Sequence, residues 1–341
     1  VQIDGVMHNA IAPWGDLSWS TSFPGGCKEA SWNAYHPAGS RHPAVHAGAL
    51  VEILDGGAVI WAGVLKEPNW RTGEFHAIGI GPMAEAFICL DSLGDATARP
   101  DVATDRAMDR GWLALGRDGS VPTTAYTTAT EGVNTLAALF DSNSDELSQW
   151  WTVRADRILR FESDPDLYWE TRPGAVDLGN TVESFASTIH VRYRISGGYD
   201  TETVTDTAAE ARFGAKEEGV DATSLGVISS ARAADIGQGI LDKGRSRLGW
   251  TNPIEVSSND LTNLYGQPAD VSMVEAGHSL TVHGVFDDIQ FLDGQTYLDL
   301  IIGETNYVDG SDVITLSPLD QAASDFTSVI EDVFTAIGGA A

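Results

Sequence analysis

The chain has 341 residues, with 49 acidic against 20 basic ones and a formal net charge of −29. A hydrophobic share of 43% is enough to bury real cores and excludes wholesale disorder, while the length prior is about two domains. A sequence pI near 4.3 argues against partners bound by counterion release, and two cysteines, Cys27 and Cys89, are too few for a disulfide framework or a cysteine zinc cluster.

In chain order, Val1–His8 has neither a basic n-region nor an apolar h-region, so no secretory signal is expected. The most apolar stretch, 77–90, is broken by Gly79, Gly81, Pro82 and Glu85, so no membrane anchor is expected and the chain reads as soluble and made in a cytoplasm. Pro24-Gly25-Gly26 and residues 36–43 are loop chemistry. Residues 50–65 place two apolar strands around Asp55-Gly56-Gly57, a hairpin signal, and 74–80 alternates as a third strand. Pro82 opens a short helix expected to run to Leu90, followed by helices over 103–115 and 133–140. Residues 150–153 and 158–161 read as a hairpin. Beyond them, 187–195 alternates with Ile189, Val191, Tyr193 and Ile195 on one face.

Residues 231–248 predict an amphipathic helix carrying Ala234, Ile236, Ile240 and Leu241, and strands follow at 254–256, 280–286 and 297–302. At the C-terminal end Phe326, Ile330, Val333, Phe334 and Ile337 share one helical face and form a candidate interface. Val45–Ile53 and Val274–Val282 share the pattern V-x-A-G-x-x-φ-x-φ, where φ is apolar: a glycine turn launching a strand twice. Such an echo is what two copies of one β module, separated by an α/β unit, would leave. No Lys or Arg follows Arg247, while Asp and Glu recur to the end. Composition alone does not choose between a solvated acidic surface and a wall that must not hold a polyanion.

The search for chemistry is largely negative: there is no P-loop, G-x-S-x-G, H-E-x-x-H or C-x-x-C. Gly79-Ile-Gly-Pro-Met-Ala84 fits G-x-G-x-x-A, but no βαβ repeat follows and Pro82 removes an amide that would cradle phosphate. His36, His42 and His46 invite a metal reading that loop placement answers more simply, and Asp164 with Asp166 is a carboxylate pair expected by number alone. Tryptophans such as Trp14, Trp19, Trp32, Trp61 and Trp70 suit either a sugar-binding face or core and interface anchors. No cofactor, metal or catalytic residue is therefore assigned.

Ala47-Gly-Ala-Leu-Val-Glu-Ile-Leu-Asp-Gly-Gly57, Val59-Ile-Trp-Ala-Gly63, Glu67-Pro68, Trp151-Thr-Val153, Phe161-Glu-Ser-Asp-Pro165, Val191-Arg-Tyr-Arg194, Phe213-Gly-Ala-Lys-Glu217, the helix from Ala231, Val274-Glu-Ala-Gly277 and Ile301-Ile-Gly-Glu-Thr-Asn-Tyr307 occur in an order and spacing that carry a resemblance. Over nearly its whole length the chain resembles a siphophage minor tail protein of the baseplate-hub, or tail-associated, family of actinobacterial phages. The resemblance implies a mixed β-rich α+β fold: a first tube-like β-barrel domain (1–82), an inserted small α/β domain (83–170), a second tube-like β domain (171–318, with helix 231–248) and a C-terminal helix (319–341).

It further implies a non-enzymatic virion protein at the tail tip, assembled in the host cytoplasm. Three chains would form a homotrimer ring adapting the sixfold tail tube to a threefold tip, with DNA passing through without specific binding. The implied neighbours are a distal tail protein, a tape-measure protein and other tail-tip and fibre proteins; receptor binding and cell-wall hydrolysis are expected to belong to those. The competing reading is a secreted β-rich carbohydrate-binding protein or glycoside hydrolase.

Overall fold

The computed structural model describes residues 1–35, 42–66, 68–125, 134–147, 149–163, 167–171, 186–246, 253–283 and 297–319. The chain divides into two compact units, one of Val1–Arg172, Ile254–Thr281 and Asp299–Leu319, the other of Pro173–Pro253, Val282–Leu298 and Asp320–Ala341. Among the described residues the fold is β-rich with few helices.

The first unit opens with two short strands, β1 (Gln2–Ile3) and β2 (Val6–Met7), then a longer hairpin, β3 (Trp14–Ser22) and β4 (Gly25–Ala34). Period-two alternation gives β3 two faces: Leu17 and Trp19 are buried in the core, and Ser18 and Ser22 lie opposite. β5 (Leu50–Asp55) and β6 (Ala58–Leu65) form the hairpin expected at Gly56-Gly57, whose φ values of +54° and +93° supply the left-handed turn. β7 (Glu74–Gly79) pairs with both β6 and β4.

After Gly81 the helix expected to reach Leu90 is only a 3-10 turn, Pro82–Ala86. It ends because Phe87 is extended (φ −111°, ψ 135°), and Ile88 and Leu90 then bridge to Thr135 and Ala96. Helix α1 (Pro100–Asp109), strand β8 (Gly116–Arg117), helix α2 (Leu136–Leu147) and the expected hairpin β9 (Trp150–Val153) and β10 (Ile158–Glu162) follow, then β11 (Leu167–Thr171). Trp112, Phe140, Trp151 and Phe161 form the core of this α/β part, and Val64 and Ile80 of the neighbouring sheet belong to the same core. Each large side chain so buried contributes roughly 1.5–3 kcal/mol.

Among the described residues the second unit is a three-stranded sheet covered by a helix. Its elements are β12 (Thr188–Ile195), β13 (Gly198–Thr205), α3 (Thr207–Phe213), β14 (Glu217–Asp221) and α4 (Ser230–Ser246), with β12 central. Ile189, Val191 and Tyr193 face Ile236, Ile240 and Leu241 as their periodicities require, with Ala233 rather than the expected Ala234 fully buried. Ile195, expected on the same face, is instead exposed. Gly237 lets α4 approach closely, since a Cβ there would lie 2.8 Å from Val204.

Strands β15 (Ile254–Ser257), β16 (Leu261–Asn263), β17 (Ser279–His283), β18 (Tyr297–Val308) and β19 (Val313–Pro318) complete the set. Among the described residues the main sheet has sixteen strands, and its path runs β16-β11-β17-β18-β3-β4-β7-β6-β5-β1-β2, with β19 on β18 and β15 on β19. Among the described residues, those from Ala84 to Phe161 share one core with Val64 and Ile80, the strands after Pro253 join the N-terminal sheet, and residues from Ala186 to Leu241 form a core of their own. The physical reason is hydrogen bonding across the chain, because β18 satisfies its edge on β3.

Candidate functional site

The candidate site grows from a repeat. Val45–Ile53 and Val274–Val282 share a backbone geometry as well as a pattern. Gly48 has φ +88° and Gly277 φ +87°. Gly48 N–H donates to Leu65 O at 2.8 Å and Gly277 N–H to Ile302 O at 2.7 Å. Leu65 N–H returns to Ala49 O at 2.9 Å, and Ile302 N–H returns to His278 O at 3.0 Å. The turns close alike too, by Ala49 N–H to His46 O and His278 N–H to Glu275 O. Leu65 is thus the counterpart of Ile302, and four strands repeat in order: β4-β7-β6-β5 matches β15-β19-β18-β17.

Aligning Leu65 with Ile302 exposes a signal that the sequence reading missed. Val64-Leu-Lys-Glu-Pro-Asn-Trp70 lies over Ile301-Ile-Gly-Glu-Thr-Asn-Tyr307, sharing two apolar residues, a Glu, an Asn and an aromatic at the same spacing. A second self-comparison downstream of the glycine turn would have found it. Glu67 lies outside the described residues.

The two copies meet at a seam. β18 pairs antiparallel with β3, from Glu304 opposite Ser22 to Val308 opposite Ser18. Three side-chain contacts reinforce the ladder. Thr21 Oγ1 and Thr305 Oγ1 lie 2.7 Å apart in the buried layer, where Thr21 Oγ1 also accepts from Ala276 N–H at 2.8 Å. The Trp19 and Tyr307 rings pack with centroids 4.7 Å apart. On the other face Lys28 Nζ meets Glu304 Oε1 at 2.8 Å, half-exposed.

That other face is polar. Strand alternation aligns Glu304 and Asn306 with Ser20 and Ser22 of β3, then Ser31 and Glu29 of β4, then His76 and Ile78 of β7. A groove of about 1360 Å³ lies along it, walled by residues 68–71 on one side and by Pro82, Glu85, Asp141 and Trp151 on another. Asp141 accepts from Trp151 Nε1 at 2.6 Å and Glu74 from Thr72 Oγ1 at 3.1 Å, so these carboxylates serve local structure.

A charged joint sits at the second glycine turn. Arg154 Nη2 contacts Glu162 at 2.9 Å, and its Nη1 reaches Glu275 at 3.9 Å. Burial pushes the Glu275 carboxyl up despite Arg154. His278, stacked on Tyr168 at 4.1 Å, accepts at Nδ1 from Trp169 Nε1 and Glu275 N–H, which fixes its neutral form. Burial, aided by Arg154, holds its pKa down at about 3.

The other sequence candidates fall apart. His42 Nδ1 accepts from Ala44 N–H and His46 contacts Asp4, and no metal-holding cluster of His, Cys, Asp or Glu occurs among the described residues. His36, Asp164, Asp166 and the whole face of Phe326, Ile330, Val333, Phe334 and Ile337 lie outside the described residues. Gly79 and Gly81 are explained by packing: a Cβ would stand 1.6 Å from Cys27 O and 1.8 Å from Gly25 O. Cys27 and Cys89 are separate buried thiols, pushed up by burial to about 12 and about 11. Trp19, Trp32 and Trp61 are core residues, and Trp70 walls the groove.

No family model and no curated protein matches the chain. Solved structures do. The 43 kDa tail protein of prophage MuSo2 from Shewanella oneidensis aligns over 91% of this chain and 95% of its own, at 11% identity and a TM-score of 0.54. Prophage tail protein gp18 from Listeria monocytogenes aligns over 94% and 93% at 13% identity and TM-score 0.48, and a chain of the phage P2 baseplate in its activated conformation over 92% and 89% at 8% and 0.40. The last two values are too low to carry an argument, and at such identities the likeness is one of architecture. The chain has the β-rich fold of the Shewanella prophage tail protein.

Proposed function

We propose that this chain is a structural protein of a siphophage tail, a baseplate hub at the tail tip. In this reading three copies close into a ring that adapts the hexameric tube to a threefold tip and lines the DNA exit channel. The observation that carries it is the repeat itself: two β modules in one chain, fused edge to edge into one sheet through β18 and β3. Such a chain offers two similar sectors of a wall, so three chains offer six, and a cyclic trimer is a closed symmetry. The shared fold with a prophage tail protein supports the assignment.

The first tube-like domain would then be built on 1–82, and the second on the strands of 171–318 that join the same sheet. The segment 83–170 would be the α/β insert, and 319–341 a C-terminal helix facing its threefold mates or a tape-measure protein. Distal tail, tape-measure and fibre proteins would be the neighbours. The acidic, Lys- and Arg-free stretch after residue 247 suits a passage in which phosphates slide without being held. The role would be assembly, without catalysis.

Native mass of the full chain over a concentration series tests this. A species three times the 36.3 kDa protomer is expected. A strict monomer that also hydrolyses a polysaccharide would overturn it.

A further inference from the structure

The groove along the polar face of β18, β3, β4 and β7 holds side chains that the fold itself does not use. Most of its polar groups are engaged locally. Ser18 Oγ and Ser31 Oγ lie 2.9 Å apart, and Ser20 Oγ donates to Glu29 O at 3.4 Å. The carboxylates of Asp141, Glu74 and Glu304 are held by Trp151, Thr72 and Lys28. Three side chains differ. Glu29 on β4, His76 on β7 and Asn306 on β18 are exposed, line the groove and make no side-chain hydrogen bond or ion pair among the described residues.

Register sets the three in a line. Asn306 stands opposite Ser20, Ser20 opposite Glu29, and His76 opposite Ser31, the next position after Glu29 on that face. With neighbouring strands about 4.8 Å apart, the three steps from β18 to β7 span roughly 14 Å, the reach of a short oligomer. The floor between them is low because its intervening positions are serines. Pro82 and Trp151 stand on one side, and Trp70, half-buried and braced edge to face on Phe75 at 5.5 Å, stands on the other. The chemistry narrows the ligand. Each of the four strands pairs on both edges, so the floor offers no backbone ladder to an extended peptide. Glu29 and Glu85 share the groove with Lys66 and Arg71, which favours neither a polyanion nor a polycation. What stands free is an acceptor carboxylate, an amide that both donates and accepts, and an imidazole able to do either, the set that pairs with hydroxyls.

We propose that this groove binds a neutral oligosaccharide along the line from Asn306 through Glu29 to His76. The Glu29 carboxylate accepts from sugar hydroxyls, the Asn306 amide bridges a neighbouring pair, and Trp70 supplies the apolar wall against which sugar C–H groups pack. All the groups lie on one chain, so the site is independent of the ring reading above.

The test is titration of the full chain with cellotetraose, maltotetraose and chitotetraose, read by calorimetry and saturation-transfer NMR. At least one of them binds wild type, and Glu29→Ala and Asn306→Ala each weaken that binding by about tenfold or more. Circular dichroism and the urea midpoint of both variants stay at wild-type values, because neither side chain supports the fold. Absence of binding by all three sugars up to about 10 mM overturns the proposal. Binding that neither substitution weakens puts the sugar elsewhere and overturns the site. Tighter binding of single-stranded oligothymidylate or of a serine-glycine peptide, weakened by both substitutions, overturns the assignment to a neutral sugar.

Discussion

The hydroxyl of Thr21 is the tightest knot in the seam, and its removal should be disproportionately costly. Thr21→Val keeps the shape but deprives two buried groups of a partner: Ala276 N–H, which donates to Oγ1 at 2.8 Å, and Thr305 Oγ1 at 2.7 Å. Ala276 and Thr305 are 3% and 2% exposed, so water cannot replace the lost partner. An orphaned buried donor costs about 1–3 kcal/mol. The amide is fixed and should lose about 2 kcal/mol, whereas a hydroxyl that can rotate should lose about 1 kcal/mol, giving roughly 3 kcal/mol for T21V. Thr305→Val leaves Thr21 still accepting from Ala276 and should cost only about 1 kcal/mol. In the double variant only the amide is orphaned, about 2 kcal/mol, so the two substitutions should couple by about 2 kcal/mol. Urea unfolding of the four proteins, followed by tryptophan emission, measures the cycle. A T21V midpoint within about 0.5 kcal/mol of wild type, or additivity of the pair, would refute the reasoning.

The two matched glycines separate conformation from crowding. Gly48→Ala meets open space at φ +88° and should cost about 1–2 kcal/mol, whereas Gly277→Ala at φ +87° also drives a Cβ to 2.7 Å from the Phe23 ring and should cost clearly more in the same denaturation assay. The joint at Arg154 should make stability pH-dependent. His278 is depressed in the folded state, so its contribution is whole above the unfolded value of 6.5 and drains as pH falls from there toward 3, by at most about 1.4 kcal/mol per unit. Glu275, raised by burial, works oppositely and gains as pH falls through its folded value. His278→Gln should flatten the descending limb between pH 6.5 and 4 in chemical denaturation; an unchanged slope would assign it elsewhere. Lys28→Met should change stability by under about 1 kcal/mol, because its pair with Glu304 is half in solvent, while raising the salt concentration should leave the variant less affected than wild type.

What the sequence determined by itself was local. The hairpin at Asp55-Gly56-Gly57, the alternation of 188–195, the helix over 230–246 and the twin glycine turns are written in periodicity and in residues able to take positive φ, which act over a few positions. The helix expected through Leu90 does not form, because Pro82 starts a turn equally well whether or not the next residues continue it, and here Ile88 and Leu90 bridge to Thr135 and Ala96. β3 carries little strand signal because Ser18, Ser20 and Ser22 alternate with Leu17, Trp19 and Thr21, and its strand character shows only once Leu17 and Trp19 are seen to share a buried face.

Tertiary structure alone decided the pairing of β18 with β3, which joins Thr21 to a residue 284 positions away, and the parting of 186–246 from the strands that follow them. No local propensity encodes such a contact. An edge strand must satisfy its amides on some neighbour, and which neighbour it takes depends on loop closure and on cores that exist only once the whole chain has collapsed.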